Sequence, residues 1–148
     1  MFPFLFMKPL HKFLDHTADV FFVAKAGTLP ELFTECALAV EETMVDLTKV
    51  KATRKVRILG ETESIENLLF DFLDELLFFK DYRQLVFSKF EIEIQEKNRK
   101  QSLTCYAYGE KIDFSRHNPK VDVKAITMHE FKVEKVKEGW KAQVLVDI

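Results

Sequence analysis

Residues Asp15 to Phe22 read DHTADVFF, placing two aspartates and a histidine within five positions ahead of an apolar run. At the other end, VLVDI stays apolar up to Asp147, and Ile148 is the last residue. Chain ends fray unless something ties them down. A strand running to the final residue would hold both the Asp147 side chain and the Ile148 α-carboxylate rigidly. If the first strand pairs beside the last, Asp19 joins them and three oxygen donors converge. Clustered carboxylates repel when desolvated, and a hard divalent cation is the usual resolution. Oxygen-only ligation favours Ca²⁺, Mg²⁺ or Mn²⁺ over zinc, with Ca²⁺ the leading candidate. The plainer reading of the same residues is that strand-end aspartates cap turns.

Other chemistry is harder to assemble. His16 and Asp19 are three apart, but no cysteine or second histidine completes a zinc-like spacing. His117, in a loop beside Pro119, and His129, opening a strand, read as surface or hydrogen-bonded histidines. Cys36 lies mid-helix on an apolar face, a core position rather than a reactive thiol. Four glycines, spread singly, form no phosphate-binding loop. A metal-dependent hydrolase would need a nucleophile or general base, and the sequence offers neither. Lys124, in VDVKAIT, stands inside an apolar strand-like run. It is either an ordinary outward lysine on a one-sided sheet or a cation held near the carboxylates or offered to a partner.

The elements that must position these groups follow from periodicity. Val20 to Lys25 (VFFVAK) is a strand ended by Gly27. TLPE, Thr28 to Glu31, is a capping box with Pro30 in the first turn. Leu29, Leu32, Phe33, Cys36, Ala37, Val40 and Met44 then keep helical spacing to about Asp46. KVRIL, Lys55 to Leu59, is a second strand closed by Gly60. Ser64 caps a second helix whose broad apolar face runs from Ile65 to Phe79, with Asp71, Asp74 and Glu75 on the solvated side. FEIEIQE alternates strictly and pairs back with SLTCYAYG across KNRKQ. VDVKAI, EFKVEKV and KAQVLVDI read as three further strands, the last two joined across KEGW. The order predicts an α+β domain: a two-layer sandwich with two helices packed on one face of a largely antiparallel mixed sheet.

The totals agree. The 148 residues suit one domain spanning 1–148, with 47% apolar and 31% charged residues, and fifteen phenylalanines point to an aromatic core. A formal charge of −2 and no evident basic stripe argue against direct grip on RNA or DNA. Cys36 and Cys105 read as buried free thiols, which suits a reducing cytoplasm. No apolar run reaches the length of a membrane span. MFPFLF at the start lacks a basic leader and a cleavage site, so it reads as an extension at residues 1–6 with Met7 as the alternative start.

Taken together, DHTADV, FLDELLFF, AYGEKID with the RHNP loop, VKAITMH and a terminal VDI resemble the archease family, in the family's order, from about Asp15 to Ile148. The resemblance implies a cytoplasmic protein that is not itself an enzyme. It implies an activator of the RtcB-type RNA ligase of tRNA splicing and RNA repair, promoting guanylylation of the ligase by GTP and repeated turnover. RNA would be reached indirectly, through the ligase. The implied metal site is Asp19, Asp147 and Ile148 through its carboxylate. Lys124 matches a family position needed for activation, and Asp15 matches one often occupied by another acid. The competing expectation is a chaperone or modulator of a tRNA-modifying enzyme such as a tRNA methyltransferase.

Overall fold

The structure is a computed structural model and describes residues 7–15 and 19–148. The MFPFLF extension and His16 lie outside the described residues. In chain order the elements are β1 (Leu10–Leu14), β2 (Asp19–Ala26), α1 (Leu29–Met44), β3 (Arg54–Thr62), α2 (Ile65–Arg83), β4 (Leu85–Lys97), β5 (Lys100–Lys111), β6 (Ala125–Val136) and β7 (Gly139–Asp147).

Both helices start where the caps direct. The Thr28 hydroxyl accepts from the Glu31 N–H at 3.3 Å, and the Ser64 hydroxyl accepts from the Asn67 N–H at 3.1 Å. Each satisfies an amide that the first turn would otherwise leave without a partner. The Glu31 carboxylate accepts from the Thr28 hydroxyl. The α2 face from Leu68 to Phe79 is buried as its spacing predicts, and Asp71, Asp74 and Glu75 are exposed.

The domain is α+β, and every strand pair is antiparallel. The strands divide into two sheets rather than one, in the orders β1-β2-β7-β6 and β3-β5-β4. The helices touch both sheets. α1 packs on β2 and β7 of the first and β4 of the second, while α2 packs on β6 of the first and β3, β4 and β5 of the second. This placement explains why α1 buries Ala39, Glu41 and Thr43 in addition to its periodic apolar set. A helix flanked on two sides needs more than one apolar stripe. The resulting core is continuous, and stacked or edge-to-face rings such as Phe33–Phe72, Phe72–Phe90 and Phe79–Phe87 run through it.

Three elements differ from the sequence reading. LHKFL forms β1, which has exposed residues on both faces and so no legible alternation. VDVKAI and EFKVEKV are not two strands: residues 121–124 are loop, and one strand runs from Ala125 to Val136. Its pairing with β7 is broken between Thr127 and Lys132, where Glu130 has φ of 58°. Lys124 therefore sits in a loop rather than inside a strand. β4 also carries an irregularity between Phe87 and Lys89. There Gly109 of β5 comes so close that a Cβ would lie 1.8 Å from the Val86 carbonyl oxygen, so only glycine fits.

Candidate functional site

Asp19 opens β2 and Asp147 closes β7, and the antiparallel register sets the two Cα atoms directly opposite each other. On the other side of β7, Asp147 stands opposite Ala125, the first residue of β6. The preceding residue, Lys124, donates its backbone N–H to the Asp147 carbonyl at 2.8 Å. Ile148 follows, half-buried and packed against the core. One sheet end therefore collects Asp19, Lys124, Asp147 and Ile148. Buried Phe22, Val144 and Val146 behind them hold the two strands in register.

Asp15 and Asp19 line one depression of about 440 Å³ with Phe13, Leu14, Val20, Glu42, Thr43, Lys120 and Val121. Asp147, Ile148 and Lys124 flank that depression through the strand pairing rather than lining it. Among the described residues, no three His, Cys, Asp or Glu side chains cluster closely enough to hold a metal.

Sequence reasoning missed two residues of the depression. Lys120 donates its backbone N–H to the Met44 carbonyl at 2.8 Å and its ammonium to the Glu42 carbonyl at 3.1 Å. Glu42 in turn lies 3.2 Å from His11 Nε2, while His11 Nδ1 lies 2.9 Å from Glu35. Neither was legible, because Lys120 is in a loop and Glu42 lies on a helix whose contact with β1 was not foreseen.

The loop from 112 to 124, which carries Lys120 and Lys124, is pinned at both ends. Glu110, at the end of β5, accepts two parallel bonds from the Arg116 guanidinium, each 2.8 Å. It also accepts from the Lys51 N–H at 2.7 Å and lies 2.8 Å from His117 Nε2. His117 is fully buried, and its Nδ1 accepts from the Asp113 N–H at 2.8 Å. The ring proton must then sit on Nε2 and point at Glu110. The Arg116 guanidinium holds the Glu110 carboxyl far below the usual carboxylate range. At the far end, the Lys80 ammonium of α2 binds Asp122 at 2.6 Å and the Val123 carbonyl at 2.7 Å. AYGEKID and RHNP are thus one locking device, and His117 is a hydrogen-bonded structural histidine. His129 is exposed within β6. Cys36 and Cys105 are buried free thiols whose burial pushes them well above the ordinary thiol value. No helix is long and apolar enough to cross a membrane among the described residues.

Comparison with known proteins places this arrangement. Residues 11–148 match the model of the Archease protein family (MTH1598/TM1083). The chain is 42% identical over 135 residues to the protein archease of Pyrococcus furiosus, covering 90% of this chain and 95% of that one. It is 37% identical over 139 residues to that of Methanosarcina barkeri, covering 93% and 95%. Its fold matches the solution structure of Methanobacterium thermoautotrophicum protein 1598 with a TM-score of 0.84 at 38% identity, covering 93% of this chain and 98% of that one. At 18% identity it shares its fold, with a TM-score of 0.61, with a Thermotoga maritima crystal structure titled an archease, possible chaperone, covering 91% and 94%. A family match that begins in β1 and runs through Ile148, with relatives of this identity over nearly the whole chain, means that the chain belongs to the archease family.

Proposed function

We propose that this chain is a non-catalytic accessory protein that activates an RtcB-type RNA ligase by promoting its GTP-dependent guanylylation and repeated turnover in tRNA splicing and RNA repair. The observation that carries the reading is the pairing of Asp19 with Asp147 at one sheet end, beside Ile148 and Lys124. Two carboxylates directly opposite each other on neighbouring strands destabilise a sheet unless a cation offsets them.

The donor chemistry fits a divalent ion. Asp19, Asp147 and the Ile148 carboxylate would hold it, an all-oxygen set that suits Ca²⁺ and also accommodates Mg²⁺ or Mn²⁺. Such an ion supplies positive charge that screens and orients a polyphosphate. The chain's own residues do the rest. The β2–β7 pairing keeps the carboxylates at one end of the sheet, and the bond from Lys124 N–H to the Asp147 carbonyl keeps the Lys124 backbone at that same end. Asp15 and Lys120 extend the charged surface into the adjoining depression. Docked beside the ligase's nucleotide site, this tip would favour the ligase conformation that reacts with GTP. The partner is a protein, so no basic RNA-gripping stripe is needed for this role.

The test is a guanylylation time course. The chain is mixed with an RtcB-type ligase, GTP and Mn²⁺, and covalent GMP on the ligase is followed. Wild type should raise the rate, and Asp19→Ala and Lys124→Ala should lose at least tenfold of that stimulation while staying folded, about 1.4 kcal/mol or more. Residues added after Ile148 should do the same by displacing the terminal carboxylate. Equal stimulation by all variants removes these residues from the mechanism. Suppressed aggregation of a tRNA methyltransferase with no change in guanylylation would instead assign the chain to the chaperone class.

A further inference from the structure

The three-stranded sheet has a face that points away from the helices. Along β5, Leu103, Cys105 and Ala107 are buried, so Thr104, Tyr106 and Tyr108 face outward. The register sets Lys55 of β3 and Lys89 of β4 on either side of Tyr108. One outward row along, Arg57 and Glu91 flank Tyr106, and the next row carries Leu59 and Glu93. Both rings and three cations thus collect in two adjoining rows, with Glu91 among them and Glu93 in the row beyond.

These groups interleave. The Lys55 ammonium lies 4.4 Å from the Tyr106 ring centroid and 5.8 Å from that of Tyr108. The Lys89 ammonium lies 4.9 Å from the Tyr108 centroid, and the Tyr108 hydroxyl donates to Glu91. Lys55, Arg57 and Lys89 are all exposed. Cation–π contacts of exposed lysines are weak and readily exchanged. Two residues of strand separate the tyrosines by about 6.7 Å, a spacing for two separate flat groups rather than one.

We propose that this face binds single-stranded nucleic acid, with neighbouring bases stacked on Tyr106 and Tyr108 and the phosphates between and beside them held by Lys55, Arg57 and Lys89. Aromatic platforms on an open sheet, edged by cations, are the chemistry that takes up unpaired bases and their backbone. A duplex keeps its bases stacked inside and offers the rings nothing. An acidic peptide would use the cations and leave the rings idle. Within the footprint Glu91 is engaged by the Tyr108 hydroxyl, and Glu93 in the next row repels phosphate and helps to confine the footprint to the two rows that carry the tyrosines. The cations come from two strands far apart in sequence, so no basic stripe betrays them. The inference stands apart from the ligase reading, since it concerns the opposite layer of the molecule and is tested without a ligase.

The experiment is fluorescence anisotropy of the full chain with a labelled oligouridylate of about ten nucleotides. Wild type should bind it with a log–log salt slope near −2, as three neutralised phosphates on a single strand require. Tyr106→Ala with Tyr108→Ala should weaken binding by about 10²-fold, and Tyr106→Phe with Tyr108→Phe should keep it. Lys55→Gln with Arg57→Gln and Lys89→Gln should flatten the salt slope. All positions are surface groups, and circular dichroism verifies the fold of each variant. Three results overturn the proposal: no binding at about 50 mM salt, equal binding by the double alanine variant, or equal binding of duplex RNA or polyglutamate.

Discussion

Asp19 and Asp147 face each other across neighbouring antiparallel strands although 128 positions separate them (147 − 19). Like charges directly opposite each other on one sheet face repel. With a cation, the two carboxylates become its ligands. Asp147→Asn therefore has opposite effects in the two conditions. In chelator, the variant should melt at or slightly above wild type. In Ca²⁺ at about 100 times its dissociation constant, wild type should gain about 2.7 kcal/mol, near 5–10 °C for a domain of this size. The variant should gain little. Thermal melts with and without Ca²⁺ read this directly, and a wild-type midpoint that ignores Ca²⁺, Mg²⁺ and Mn²⁺ would remove the ion from the account.

Glu41 is a second acid in an unusual place, fully buried on α1. Its Oε1 accepts from the Phe87 N–H at 2.8 Å, beside the irregularity in β4, while Oε2 has no partner among the described residues. Burial pushes its carboxyl up from 4.5 to about 8. The folded state thus holds a proton that the unfolded chain releases near 4.5. Stability from this group is complete below that pH and declines as pH rises through about 8, by up to about 1.4 kcal/mol per pH unit. Glu41→Gln keeps the acceptor for Phe87 and cannot ionise. At low pH it should match wild type or be slightly less stable, because protonated Glu41 already leaves one buried donor unpaired and the amide adds a second. Denaturant unfolding from pH 5 to 8.5 should show the wild-type decline and a flat variant; parallel curves would contradict it.

Glu110 behaves in the reverse sense. Arg116 holds its carboxyl below the ordinary range, so its contribution is present above the unfolded value near 4.5 and is lost as pH falls below it. Glu110→Gln removes the charge that the guanidinium and the buried His117 N–H address together. A loss of about 1.5–3 kcal/mol is expected, the range for hydrogen bonds to charged groups. Hydrogen exchange should quicken at His117 and Lys120, whose amides bond to Asp113 and Met44. Lys124, held separately through Asp147, should respond less. Unchanged exchange across 112–124 would mean that Lys80 alone pins the loop.

The helices were legible because their information is local. Thr28 and Ser64 mark the starts, apolar spacing marks the buried faces, and neither depends on distant residues. The β4–β5 hairpin was legible for the same reason, being strict alternation broken by a polar turn. The two-sheet division was not, because alternation reports which side of a strand is buried but not which strand lies beside it. LHKFL was invisible because an edge strand exposed on both faces carries no period. His117 lies in a loop, where burial leaves no pattern, so its enclosure depended on Glu110 and the Asp113 N–H arriving from the fold.

By itself, the sequence determined the α+β class, the two helices with their caps, and the set of carboxylates worth watching at the two ends. Only the tertiary structure decided that Asp19 meets Asp147 in register. It also decided that Lys124 is tethered to that end by its backbone and that Lys55, Arg57 and Lys89 gather around two tyrosines. The physical reason is common to all three. Pairing between strands is set by the packing of buried side chains such as Phe22, Val144, Ile58 and Cys105, and that packing fixes where polar groups on the same strands come to rest.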